Sequence, residues 1–232
     1  MRLIRFDEKY CVLMSNPNQG FAMENWFETN ETQEAVLSLQ MMSEQLDHLA
    51  KTGNKHYWTW IIIGLHTALN GFMVLALRGT NDLNVLPEKC AKQWLTAYDS
   101  NSGKYPEKRL DSFLNLYNKI KSEKMNLYTN SKLFIPKATQ DSSVEKLNSL
   151  RNDFIHFIPK DWLIEPSYFI QIVSDCLDII SFLAFDCGNV IWIEEDLETQ
   201  TRMHIENARQ CLNIVKSHCV NKGNENNKKD IS

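Results

Sequence analysis

The chain has 232 residues, 43% of them hydrophobic and 23% charged, which is typical of a soluble globular protein and excludes collagen, low-complexity and wholly disordered architectures. With 8 glycines and 6 prolines it has too few turn residues for an all-β sandwich, so long helices are favoured, in one domain or in two. The 25 Lys and Arg against 29 Asp and Glu give a net charge of -4, which argues against nucleic-acid binding through global charge but leaves a local basic groove open.

Residues 1–30 are predicted to form an irregular N-terminal segment. They contain the loop SNPNQG and two short apolar runs, LIRF and YCVLM, that are candidates for short strands. The first residues lack the apolar core and the cleavage site of a signal peptide, so we expect a cytoplasmic protein. The 6 cysteines form no C-x-x-C pair and no metal-finger spacing with histidine, so we expect reduced thiols.

The first helix is predicted over residues 32–53, with Thr32 as its N-cap and its end near Gly53. Its apolar residues recur with a period near 3.6, which is typical of a helix with one buried face. These residues are Val36, Leu39, Met42, Leu46 and Leu49.

The second helix, over residues 55–78, is the most apolar segment and carries no charged side chain inside its ends. It could span a bilayer, or it could be the central helix of a soluble bundle. The polar residues near its middle are His66, Thr67 and Asn70. They would be costly in lipid, so the buried helix is favoured. Gly64 and Gly71 share one face of this helix and predict the close approach of a neighbouring helix.

The third and fourth helices are predicted at Pro87–Asp99 and over residues 107–124, separated by the loop NSGKYP. Residues 104–137, called the basic segment below, hold eight Lys or Arg and three Asp or Glu, a local charge of +5. This charge indicates either a solvated face or a surface that tracks phosphates. If it tracks phosphates, the candidate RNA-binding residues are Lys119, Lys121 and Lys124.

The last three helices are predicted over residues 142–158, from 166 to a stop near Gly188, and over 194–220. Ser142 and Glu145 form a capping box at the start of the first of them. Residues 221–232 are predicted to be a disordered tail. The chain is therefore predicted to be an all-α bundle of about six or seven helices, with one helical domain over residues 31–220.

The stretch LNSLRNDFIHFIPKDW, residues 147–162, combines an apolar stripe with a polar face. The stripe, predicted to face the core, consists of Leu147, Leu150, Phe154, Phe157 and Ile158. Asn152 and His156 are four residues apart on another face, and the long side chain of Arg151 can reach the same region. A guanidinium, an amide and an imidazole together suit a phosphodiester, because Arg orients the phosphate and His moves a proton near neutral pH. The alternative is a surface arginine and a helix-terminal histidine without chemistry.

RNDFIH, residues 151–156, resembles the signature of the HEPN superfamily: an arginine, a polar residue, and a histidine after four to six intervening residues. Two longer blocks, HYWTWIIIGLHTALNGFMVLAL at 56–77 and LRNDFIHFIPKDWLIE at 150–165, are similar to a plasmid- and defence-associated bacterial HEPN subfamily. The resemblance covers roughly residues 32–215, and the three signature positions are Arg151, Asn152 and His156.

The resemblance implies an all-α domain that forms a two-fold homodimer, with a composite site where the two signature helices meet. Many such proteins are metal-independent endoribonucleases that act as toxins or antiviral effectors. Others are catalytically silent modules that bind RNA, a nucleotide or a protein partner. We therefore expect RNA as substrate, a second copy of the chain and an antitoxin or defence-system protein as partners, and no metal, cofactor or membrane.

Overall fold

The computed structural model describes residues 29–229 apart from Ser102, Ile158, Lys160 and Trp162, and it describes only the backbone of residues 220–229. The predicted irregular segment and its candidate strands, up to residue 28, lie outside the described residues. All regular structure in the described part is helical, which confirms the all-α prediction. The seven α-helices found there are α1 (Glu31–Thr52), α2 (Tyr57–Leu77), α3 (Glu88–Asp99), α4 (Phe113–Ile120), α5 (Gln140–His156), α6 (Pro166–Ser181) and α7 (Glu195–Lys229).

The first helix begins slightly earlier than its predicted cap. The side chain of Asn30 accepts hydrogen bonds from the backbone N–H groups of Thr32 and Gln33, both at 2.9 Å, so Asn30 is the N-cap. These two N–H groups have no partner inside the helix, and the asparagine oxygen satisfies both. The predicted end is confirmed, because Gly53 follows α1 with a φ of 68°, a conformation that glycine adopts without a Cβ penalty.

The two glycines of α2 lie against α1, as the sequence predicts. A Cβ added at Gly71 would lie 2.7 Å from Ala35 Cβ, and one added at Gly64 would lie 3.1 Å from Met42 Cβ. Real side chains do not tolerate the first distance, so the backbones of α1 and α2 approach as closely as they do only because these positions lack side chains.

The interior of the bundle is built around α2. Two helical stretches, Tyr57–Leu77 and Pro166–Asp186, are long and apolar enough to cross a bilayer, but 67% and 56% of their most apolar windows are buried inside the bundle. The second stretch includes a π-helical turn, Phe182–Asp186, that continues α6. Burial of this kind is typical of core helices in soluble bundles. It agrees with the buried helix, rather than the membrane span, that the sequence favours for α2.

The helix α5, which carries the RNDFIH stretch, packs between α6 and α2. The Ser143 hydroxyl donates to Asp175 Oδ2 on α6 at 2.5 Å, and Leu150 lines a cavity together with Tyr168 near the start of α6. Because these contacts run in opposite order along the two helices, α5 and α6 are antiparallel. The Val144 and Leu147 side chains are fully buried, so one face of α5 belongs to the core.

The fourth helix is shorter than predicted. The sequence predicts a helix over residues 107–124, whereas α4 begins only at Phe113, with the Ser112 side chain as its cap. The backbone N–H of Asp111 instead donates to the carbonyl of Val85 at 2.9 Å, which holds the preceding residues to another loop. A contact between distant segments therefore replaces the first turns of the predicted helix.

Two predictions about helix ends also differ from the structure. The sequence predicts that Phe157 belongs to the apolar stripe of α5 and faces the core, but this side chain is 86% exposed. The reason is that α5 ends at His156 and Phe157 adopts a left-handed conformation, with a φ of 48°, that directs it away from the stripe. In addition, α7 continues to Lys229 through most of the segment predicted as a disordered tail, and no proline interrupts it there.

Candidate functional site

The three predicted catalytic residues lie on the last two turns of α5. Arg151 and Asn152 are half-buried, and His156, the last residue of the helix, is exposed. The Arg151 Nη1 group donates to Asn152 Oδ1 at 3.0 Å, so the structure brings these two side chains together. His156 is four residues beyond Asn152 and projects from the same side of the helix. This arrangement can present a cation and an imidazole to one anionic ligand at the end of α5.

The connection that follows α5 exposes apolar side chains beside this site. Phe157 is 86% exposed and Leu163 is fully exposed. Large apolar side chains in contact with water next to a polar site are typical of a surface that another molecule covers.

A second histidine, His66 on α2, faces the polar side of α5 from within the bundle. Its Nε2 atom lies 3.2 Å from Asn148 Oδ1, and its ring stacks on Phe113 of α4 with ring centroids 3.9 Å apart. Asn148 is one turn before Asn152 on α5, so the contact joins α2 to the face that carries the signature residues. The side chain of His66 is 7% exposed, and it is therefore part of the packed interior.

Burial keeps the His66 imidazole neutral. Desolvation lowers the pKa of His66 to about 4; the hydrogen bond with Asn148 opposes this shift, and the nearby positive charge of Arg151 adds to it. Because Asn148 Oδ1 is an acceptor, the pairing requires the tautomer in which His66 Nε2 carries the proton. A neutral imidazole thus lies in the electrostatic field of Arg151.

From the sequence, His66 stands out only as a polar residue that would be costly in lipid, and Asn148 is not predicted to belong to the site. Two signals were present in the sequence. His66 is the only titratable group apart from Tyr57 in the charge-free stretch of α2, and Asn148 is four residues before Asn152. What the sequence could not indicate is that these two residues, 82 positions apart, meet in the fold.

The three lysines predicted to bind RNA have different environments. The Lys119 ammonium is 2.6 Å from Asp111 Oδ2 and 2.6 Å from the carbonyl oxygen of Leu86, and only 12% of its side chain is exposed. This ammonium is therefore occupied inside the fold and is not available to a phosphate. It also anchors the residues that precede α4.

The other two lysines are closer to the surface. Lys121 pairs with Asp141 at 2.9 Å and lies over the Tyr117 ring, 4.2 Å from its centroid. Lys124 is exposed and lines a cavity of about 310 Å³ together with Tyr128. Of the three predicted residues, Lys124 is the one whose environment fits a contact with a phosphate in solution.

No group of three or more His, Cys, Asp or Glu side chains in the described part of the chain is placed to hold a metal ion. No protein-family model, no curated protein and no solved structure matches this chain. The end of α5 and the residues that surround it are therefore the candidate functional site.

Proposed function

We propose that this chain is a metal-independent endoribonuclease that acts as a two-fold homodimer, in the role of a toxin or an antiviral defence effector in the cytoplasm. The observation that carries the proposal is the grouping of Arg151, Asn152 and His156 at one accessible end of α5, with Arg151 and Asn152 in contact. The sequence resemblance of RNDFIH to the HEPN signature supports the same function.

The proposed reaction is an attack by the substrate's own 2′-hydroxyl on the adjacent phosphorus. The 2′-oxygen forms a bond to phosphorus as the bond from phosphorus to the 5′-oxygen breaks, which yields a 2′,3′-cyclic phosphate and a 5′-hydroxyl end. One His156 accepts the proton of the 2′-hydroxyl, and the partner's His156 donates a proton to the leaving oxygen. Arg151 stabilises the negative charge on the phosphoryl oxygens, and Asn152 orients the Arg151 guanidinium through their hydrogen bond.

A dimer is proposed because one chain presents only one suitable imidazole among the residues that surround the site. His66 is near Arg151, but its pKa of about 4 and its burial prevent it from donating a proton to a leaving group at neutral pH. A second chain related by a two-fold axis beside α5 would supply the second imidazole and would also cover Phe157 and Leu163. We expect light scattering at micromolar concentration to give the mass of two chains, and a monomer would contradict the composite site.

The deciding experiment is incubation of the purified protein with a mixed RNA pool in EDTA. Wild type should cut single-stranded RNA and spare DNA, because DNA lacks the nucleophilic 2′-hydroxyl. His156→Ala should lose roughly 10²–10⁴-fold in rate, the usual contribution of a positioned acid or base. Arg151→Ala should lose most activity, and Arg151→Lys should recover only part of it, since an ammonium cannot make a forked contact.

Matched controls are His218→Ala and Arg202→Ala, which remove an exposed histidine and an exposed arginine on α7, outside this site and outside the basic segment. Both controls should cut RNA at the wild-type rate. Cleavage that survives in His156→Ala, or that requires Mg²⁺, would overturn the mechanism. A wild-type protein that binds RNA without cutting it would instead be the catalytically silent module.

A further inference from the structure

We infer that His66 is a positioning residue for Arg151: it docks the polar face of α5 on α2 through Asn148 and brings no negative charge to the Arg151 guanidinium, which pairs with no carboxylate among the described residues and is ready for an anion. The inference rests on the proposed function only for the identity of that anion, a phosphate of RNA.

The first argument is the ion pairing of the arginines. Five arginines lie in the described part of the chain, and four of them pair with a carboxylate: Arg78 with Glu31, Arg109 with Glu107, Arg202 with Glu198 and Arg209 with Asp178. Arg151 is the exception within that part, since its hydrogen-bond partner is the neutral amide of Asn152. A half-buried guanidinium without a carboxylate is set up to bind an anionic ligand.

The second argument is the chemistry that α2 offers to this face of α5. Within its ends, α2 carries no charged side chain, and an apolar residue at position 66 would remove the hydrogen-bond partner of the half-buried Asn148 amide. A carboxylate there would satisfy Asn148 but would attract and neutralise Arg151. A neutral imidazole meets both demands, because it bonds the amide and brings no negative charge. The stacking of His66 on Phe113 holds its ring in the orientation that this bond requires.

The first test does not depend on RNA. Side-chain nitrogen NMR should show His66 as the neutral Nε2–H tautomer between pH 5 and pH 8. Arg151→Ala should raise the pKa of His66, because the substitution removes a positive charge that disfavours imidazolium. A His66 that is charged at neutral pH, or whose titration does not respond to Arg151→Ala, would overturn the inference.

The second test separates positioning from packing by substituting two amino acids of equal shape. His66→Gln keeps a neutral hydrogen-bonding group, whereas His66→Glu places a carboxylate beside Arg151. The affinity for a short single-stranded RNA should fall roughly ten- to a hundredfold further in the Glu variant than in the Gln variant, the range of one charge-assisted hydrogen bond. The salt dependence of RNA binding should also be weaker in the Glu variant than in the Gln variant, by the equivalent of about one phosphate contact.

The matched control is His204, an 8% exposed histidine on α7. His204→Gln and His204→Glu should have the same affinity for RNA as each other, with circular dichroism used to confirm that all four variants fold. If both variants fold, equal affinities of His66→Gln and His66→Glu for RNA would refute the positioning role. If wild type binds no RNA, the proposed function fails, and the NMR titration still decides the inference.

Discussion

The buried imidazole of His66 makes the stability of the fold depend on pH below 6.5. Its pKa is about 4 in the folded protein and about 6.5 in an unfolded chain, so the unfolded state binds the proton more tightly. The stability that the neutral His66 imidazole contributes to the fold is fully present above pH 6.5 and is lost as the pH falls from 6.5 towards 4. The linkage relation gives a loss of about 2 kcal/mol between pH 7 and pH 5, and about 3.4 kcal/mol once the pH is below 4.

Urea denaturation of wild type and of His66→Gln at pH 7 and at pH 5 would measure this loss. At pH 7 the variant should have a lower free energy of unfolding than wild type, because the stack on Phe113 is lost. At pH 5 this difference in free energy of unfolding should be smaller by about 2 kcal/mol. Burial also lowers the pKa of His204, and its contribution cancels because both proteins contain it. A gap of the same size at the two pH values would show that His66 is not buried as a neutral group, and the reasoning would be refuted.

Three further outcomes follow from the packing and the charges. Gly71→Ala should lower the free energy of unfolding by roughly 1–3 kcal/mol, measured by urea denaturation, because its Cβ would lie 2.7 Å from a side chain of α1; a neutral effect would contradict the close approach of the two helices. Lys119→Gln should lower the melting temperature by leaving the buried Asp111 carboxylate unpaired, whereas Lys124→Gln should leave melting unchanged and reduce the salt slope of RNA binding by about one. Phe157→Asp should shift light scattering from two chains to one, and a dimer that persists would place the interface elsewhere.

The sequence by itself determined the features that depend on near neighbours along the chain. The 3.6-residue period of α1, the glycine at its end and the shared face of Gly64 and Gly71 are local properties, and the structure confirms each of them. The same helical spacing predicted that Asn152 and His156 project from one side of α5. Local rules suffice in these cases because the positions of side chains around a helix follow from its geometry alone.

The tertiary structure decided which charges and amides meet, because those contacts join residues far apart in the chain. Lys119 and Lys124 belong to the same basic segment. Lys119 is nevertheless buried against Asp111 and the carbonyl of Leu86, whereas Lys124 is exposed. The shortened start of α4 likewise results from a backbone hydrogen bond to a distant loop.

The neutral state of His66 has the same kind of origin. The sequence places this residue on an apolar helix, but its neutrality follows from burial against Phe113 and from the charge of Arg151, which only the packing of α2, α4 and α5 brings close. Desolvation and Coulomb interactions depend on distance through space, so helical periodicity alone could not have predicted them.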